Sequence, residues 1–166
     1  MRKRSLLMAL GAAPLAACGF RLRGVPQFAF RSLYVQAPAG SLLARELVRT
    51  LQASGGQLTV ITDAAQLTQA EAILDLLSEQ QERVAVGLSA AGQVRELQLR
   101  LRLRFRLRGQ QGQEWIGETE LLQQRDISYN ETIALSKEGE EAMLYRNMRS
   151  ELVQQLMRRL AAVKSQ

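Results

Sequence analysis

Between Leu97 and Arg108 every odd position is apolar: Leu97, Leu99, Leu101, Leu103, Phe105 and Leu107. From Arg100 every even position is arginine, through Arg102, Arg104, Arg106 and Arg108. Period two over this length predicts a strand with one buried face and one wet face. Gly109-Gln110-Gln111-Gly112-Gln113 predicts a loop, and residues 114–126 a returning strand. Pairing Arg108 with Glu114 sets Arg104 opposite Glu118 and Arg102 opposite Glu120. On the other face it sets Leu107 against Trp115, Leu103 against Thr119 and Leu101 against Leu121. A slip by one residue would mix the two faces, which a buried face resists.

Upstream, residues 31–36 predict a strand stopped by Pro38 and Gly40. Ser41 is a good N-cap for a helix over 42–54, whose Leu43, Leu47, Val48 and Leu51 share one face before the Gly55-Gly56 stop. Residues 58–62 predict a short strand and 63–69 a polar connection. Residues 70–88 read as mostly extended, with a bulge or break in the polar stretch 78–83. Ala90-Ala91-Gly92 makes a tight turn before the arginine strand. After a loop over 128–133, Ser136 is placed to cap a long helix. Its Leu144, Met148, Leu152, Leu156 and Leu160 recur every four residues. The fold class is α+β, a two-layer sandwich with about four largely antiparallel strands and two helices packed on one face.

The first 18 residues follow a different logic. Arg2, Lys3 and Arg4 precede an apolar run that ends in Leu15-Ala16-Ala17-Cys18. This is the layout of a secretory signal peptide, and the run is shorter than the roughly 20 apolar residues a membrane span needs. The cysteine directly after Leu-Ala-Ala resembles the lipobox of bacterial lipoproteins, in which it becomes the first mature residue and carries lipid. The expected organisation is a signal peptide over 1–17, a lipidated N-terminus and linker over 18–30, and a single domain over 31–166.

Removing the signal peptide takes three basic residues from a chain of formal net charge +6. Placement outside the cytoplasm then weakens any nucleic-acid reading of that charge. Cys18 is the one cysteine, so no internal disulfide forms. The absence of histidine excludes a His-based triad, a His-ligated metal and a His general base. Glu138, Glu140 and Glu141 suit a helix start through the macrodipole. Glu118 and Glu120 lie beside arginines that keep them ionised. Gly109-x-x-Gly112 lacks the Lys-Ser/Thr and helix of a phosphate loop. No enzyme, no metal site and no cofactor beyond covalent lipid on Cys18 is expected.

The arginine face admits three readings. It is a solvated face neutralised by cross-strand pairs, an anion site of guanidinium forks, or a surface packed against a protein wall. In the register above, Arg102, Arg104 and Arg108 each acquire a glutamate. Arg100 and Arg106 remain opposite Leu122 and Ile116, without one.

Cys18-Gly19-Phe20-Arg21-Leu22-Arg23-Gly24 resembles the mature start of the LptE family, the lipopolysaccharide-assembly lipoproteins of Gram-negative bacteria. Ala134-Leu135-Ser136-Lys137-Glu138 is similar to the start of that family's final helix, and Gln155-Leu156 and Arg158-Arg159-Leu160 fit as well. The chain departs at Ala90-Ala91-Gly92, where some relatives carry a basic residue. The resemblance implies a four-stranded sheet with two helices on one side. It also implies a plug within the LptD barrel that assists barrel assembly and binds lipopolysaccharide. Gly19 after the lipidated cysteine resembles the outer-membrane sorting pattern, with the anchor in outer-membrane lipid on the periplasmic side. On this reading Arg100, Arg102, Arg104, Arg106, Arg108 and Lys137 are candidate contacts to lipopolysaccharide or the partner. The alternative is a structural envelope lipoprotein that binds murein or another assembly machine.

Overall fold

The structure, a computed structural model, describes residues 26–55, 58–129 and 134–164, without the side chains of 134–137. Chain order is β1 (Ser32–Gln36), α1 (Leu42–Ala53), β2 (Thr59–Ile61), a 3-10 helix (Ala64–Gln69), β3 (Ala72–Leu88), β4 (Val94–Gly109), β5 (Glu114–Ser128) and α2 (Ala134–Ala161). The α+β class holds, but the sheet has five strands, ordered β2-β1-β3-β4-β5. It is mixed: β1 runs parallel to both β2 and β3, while β3, β4 and β5 are antiparallel. The crossovers from β1 to β2 through α1, and from β2 back past β1 to β3, account for the parallel pairs.

Local chemistry explains the element ends. The Ser41 hydroxyl accepts from the Ala44 N–H at 3.0 Å, which caps α1 as the sequence predicts. Asp63 accepts from the Ala65 N–H and starts a 3-10 helix within the expected polar connection. Both hairpins close through three-residue loops, Ala90-Ala91-Gly92 and Gln110-Gln111-Gly112, with the glycine at φ +77° and +87°. A turn followed by a left-handed residue is the usual three-residue hairpin solution, and glycine reaches that region without strain. The final helix begins at Ala134, so Ser136 lies inside it rather than capping it. The linker before Pro26, including Cys18, lies outside the described residues, and so does most of the expected loop over 128–133.

The core lies between the sheet and both helices. Leu99, Leu101, Leu103, Phe105 and Leu107 are completely buried against Leu43 and Leu47 of α1 and Met148, Leu152 and Leu156 of α2, among others. Each fully buried leucine contributes about 1.5–3 kcal/mol relative to exposure. A second, smaller cluster of Tyr34, Ile61, Ala70 and Ile73 packs with Leu67 of the 3-10 helix. These residues lie in the β2-β1-β3 part of the sheet, so the arginine-bearing part of β4 stays open.

The β4–β5 register corrects the sequence expectation in a specific way. Arg108 does pair with Glu114, but Leu107 pairs with Ile116, and from Phe105–Thr119 onward the strands are two residues out of the expected register. Two irregularities beside Leu107 produce the shift. Because the shift totals two residues, every side chain keeps its face. The irregularity also lets consecutive Trp115 and Ile116 both pack on the core. Strand β3 is continuous through 78–83, and its irregularities fall instead between Leu76 and Ser78 and near the hairpin tip.

Candidate ligand or partner surface

Strand alternation places Arg100, Arg102, Arg104, Arg106 and Arg108 on the sheet face away from the helices. Acids from both neighbouring strands meet them. Arg102 donates to Glu120 of β5 at 2.7 Å and to Glu82 of β3 at 3.1 Å. These carboxylates hold its guanidinium pKa above the ordinary value, with the Glu120 hydrogen bond the larger cause. Arg104 is ion-paired with Glu118. Both glutamates were expected partners, and the two-residue register shift turns the contacts diagonal without breaking them.

At the loop end the pattern departs from expectation. Arg106, expected to lack a carboxylate, donates to Asp75 at 2.7 Å, and Arg108 donates to the same oxygen at 2.9 Å. Asp75 is 4% exposed. Burial pushes its pKa up, but hydrogen bonds and positive charge from Arg108 and Arg106 outweigh this and hold it below the ordinary value. The Arg108–Glu114 contact expected from the register is replaced by this pair. The sequence signal was available: Asp75 stands between Leu74 and Leu76, on the phase opposite to a buried pair.

Arg100 is the remaining member. It donates to Gln98 at 2.7 Å and forms no ion pair among the described residues, because Glu82, its neighbour on β3, turns to Arg102. The ladder is therefore largely neutralised, with one uncompensated guanidinium. Lys137 lies in the first turn of α2, and its side chain is outside the description. Among the described residues, no three His, Cys, Asp or Glu side chains gather as a metal site, and no helix is long and apolar enough to cross a membrane.

The N-terminal strap is fixed at the other side of the sheet. Phe28 stacks on Phe30 at 5.6 Å between ring centroids, and Phe30 on Trp115 at 5.8 Å. The chain segment that follows the expected anchor is thereby tied to the β4–β5 loop end.

The family model of LptE, described as lipopolysaccharide-assembly, matches residues 30–160. The chain belongs to the LptE family. A lipoprotein B from Nitrosomonas europaea is similar over 87% of this chain and 91% of its own, at 30% identity and a TM-score of 0.72. The rare lipoprotein B of Shewanella oneidensis has the same fold, with a TM-score of 0.65 at 23% identity over 79% of this chain and 94% of its own. So does a minor lipoprotein of Acinetobacter baumannii, with 0.62 at 24% over 82% and 94%. No curated protein matches the chain. Membership of the LptE family makes this a lipopolysaccharide-assembly lipoprotein, with the arginine ladder as the surface that distinguishes its open sheet face.

Proposed function

We propose that this protein is a lipid-anchored plug of the LptD barrel at the outer membrane. In that role it helps the barrel assemble and supports lipopolysaccharide transport and insertion. Lipid on Cys18 holds it to the periplasmic side of the outer membrane, and no catalytic step is assigned to it. The observation that carries the reading is the LptE family match over residues 30–160.

Two physical features support a plug. Strand β4 has 16 residues, which at about 3.3 Å per residue gives a sheet roughly 50 Å long. That exceeds the apolar band of an outer-membrane barrel, about 25 Å tall, so the sheet can run through a lumen from end to end. Along β4 the open sheet face is dominated by guanidinium–carboxylate pairs, with Leu122 exposed beside them, and barrel lumens are likewise largely polar. Arg100, which lacks an ion pair among the described residues, and Lys137 by resemblance are the candidate cations for lipopolysaccharide phosphates. The paired Arg102, Arg104, Arg106 and Arg108 suit a polar wall.

The test is a pull-down of the lipidated protein from solubilised outer membrane, with its companions identified. Stable recovery of the LptD barrel supports the plug. Recovery of murein alone, with no barrel, overturns it in favour of a structural envelope lipoprotein.

A further inference from the structure

We propose that the groove between α1 and α2 is a binding site for a phosphate ester, held by Arg49, Arg146 and Arg149. The groove measures about 930 Å³ and lies on the helix side of the molecule, so the site goes beyond the plug reading and does not rest on it. Pro26, Glu46, Arg49, Arg146, Arg149 and Ser150 are among its walls.

The charges there do not cancel. Arg49 and Arg146 are exposed and form no ion pair among the described residues. The Arg149 side chain is only 13% exposed, yet its Nε has no hydrogen-bond partner, and the nearest carboxylate oxygen, Glu79 Oε1, stands 3.9 Å away. The other oxygen of Glu79 accepts from the Ser41 hydroxyl at 2.8 Å. Glu46 accepts from the Ser150 hydroxyl at 2.5 Å. That Nε is sealed from solvent on the Glu79 side, so the charge open to a ligand in the groove is that of the exposed Arg49 and Arg146, beside the part of Arg149 that lines it.

Among the lining residues Glu46 is the one carboxylate against three arginines, so an anionic ligand would supply the counter-charge the walls lack. Guanidinium forks match the several oxygens of a phosphate, whereas one fork suffices for a carboxylate. Beside these charges a second hollow of about 630 Å³ shares Glu46, Arg49 and Arg149 and adds Val35, Leu42 and Val48. That apolar wall suits the glycerol and first methylenes of a phospholipid headgroup, and a soluble phosphate ester carries the same recognised chemistry.

The experiment uses the chain with Cys18→Ser, so that acylation contributes nothing to membrane binding. Cosedimentation is measured with phosphatidylglycerol vesicles and with phosphatidylcholine vesicles, with and without soluble glycerol phosphate. Arg49→Glu with Arg146→Glu is compared with Arg95→Glu plus Arg158→Glu, which changes net charge equally at exposed positions outside the groove. Binding to phosphatidylglycerol should weaken by about tenfold or more in the groove variant. In the control pair it should weaken by less than about threefold. Displacement by glycerol phosphate would assign the site to free phosphate esters, and its absence to the lipid headgroup. Equal losses in both variants, or no preference for phosphatidylglycerol together with no glycerol phosphate binding, overturn the site. Should the reversed pair melt early, Arg49→Gln with Arg146→Gln repeats the comparison. Barrel capture, measured on the same variants, should be unchanged; its failure in the unaltered chain would count against the plug and leave this site standing.

Discussion

Arg106 Nε donates to Asp75 Oδ2 at 2.7 Å across the β3–β4 seam, and it does so beside Arg108, which donates to the same oxygen. A buried carboxylate shared by two guanidiniums locks the loop end of β4 to the centre of the sheet. The arginines remain partly exposed, at 45% and 28% of their side chains, so solvent screens much of the attraction.

Asp75→Asn should therefore destabilise the fold by about 1–3 kcal/mol at neutral pH. The native carboxylate titrates below its ordinary value, so its contribution is complete above the unfolded pKa, near pH 4. That contribution is lost as pH falls through the lower native pKa. Urea unfolding of both proteins should show a gap at pH 7 that closes in acid. A gap that widens in acid would reverse the assignment.

Leu103→Ala should cost about 2–5 kcal/mol, because Leu103 is completely buried and its neighbours span two layers. Arg102→Ala, which removes a solvent-facing guanidinium from Glu82 and Glu120, should move the urea midpoint far less. Equal midpoints for the two variants would mean that the faces of β4 are reversed.

How far the sequence determined this result depends on the range of the interaction. Alternation along β4 shows directly which residues are buried, because side-chain period two is a property of the strand alone. Ser41 as a cap and Leu43, Leu47 and Leu51 as a helix face are equally local. What failed to show was non-local. The parallel pairing of β1 with β2 and β3 depends on crossovers that no periodicity encodes. The Asp75 pairs belong to a third strand, invisible to a reading confined to the β4–β5 hairpin. The register beyond Leu107 depends on irregularities that admit Trp115 and Ile116 together to the core, and a two-residue shift leaves the hydrophobic pattern unchanged. The groove between the helices joins residues about 100 positions apart, such as Glu46 and Ser150.

Trp115 is the chain's one tryptophan, which makes the stack with Phe30 directly observable. Phe30→Ala should red-shift and weaken the tryptophan emission of the folded protein, since Phe30 shields one side of the indole. Phe30 is 3% exposed, so the same change should cost about 3–5 kcal/mol. Unaltered emission would show that the N-terminal strap does not pack on β5 in solution.

The functional role of the ladder turns on Arg100 rather than on Arg106. Reversing Arg106 to glutamate sets a second carboxylate against buried Asp75, so Arg106→Glu should lower thermal stability and any binding change would be uninterpretable. Arg100 has no carboxylate to lose, and Arg100→Glu should leave the melting temperature within a few degrees of the parent. If the uncompensated guanidinium meets lipopolysaccharide phosphates, Arg100→Glu weakens binding to purified lipopolysaccharide. The parent's own affinity should then fall as salt rises, because an exposed charge is screened over about 10 Å at 0.1 M. On the proposed plug reading, barrel association would draw on the paired arginines and a wider surface, so it should survive this single reversal. Should Arg100→Glu instead bind lipopolysaccharide as the parent does while releasing the barrel, the open face is a protein interface throughout. Arg100 would then be one of its contacts and not a ligand site.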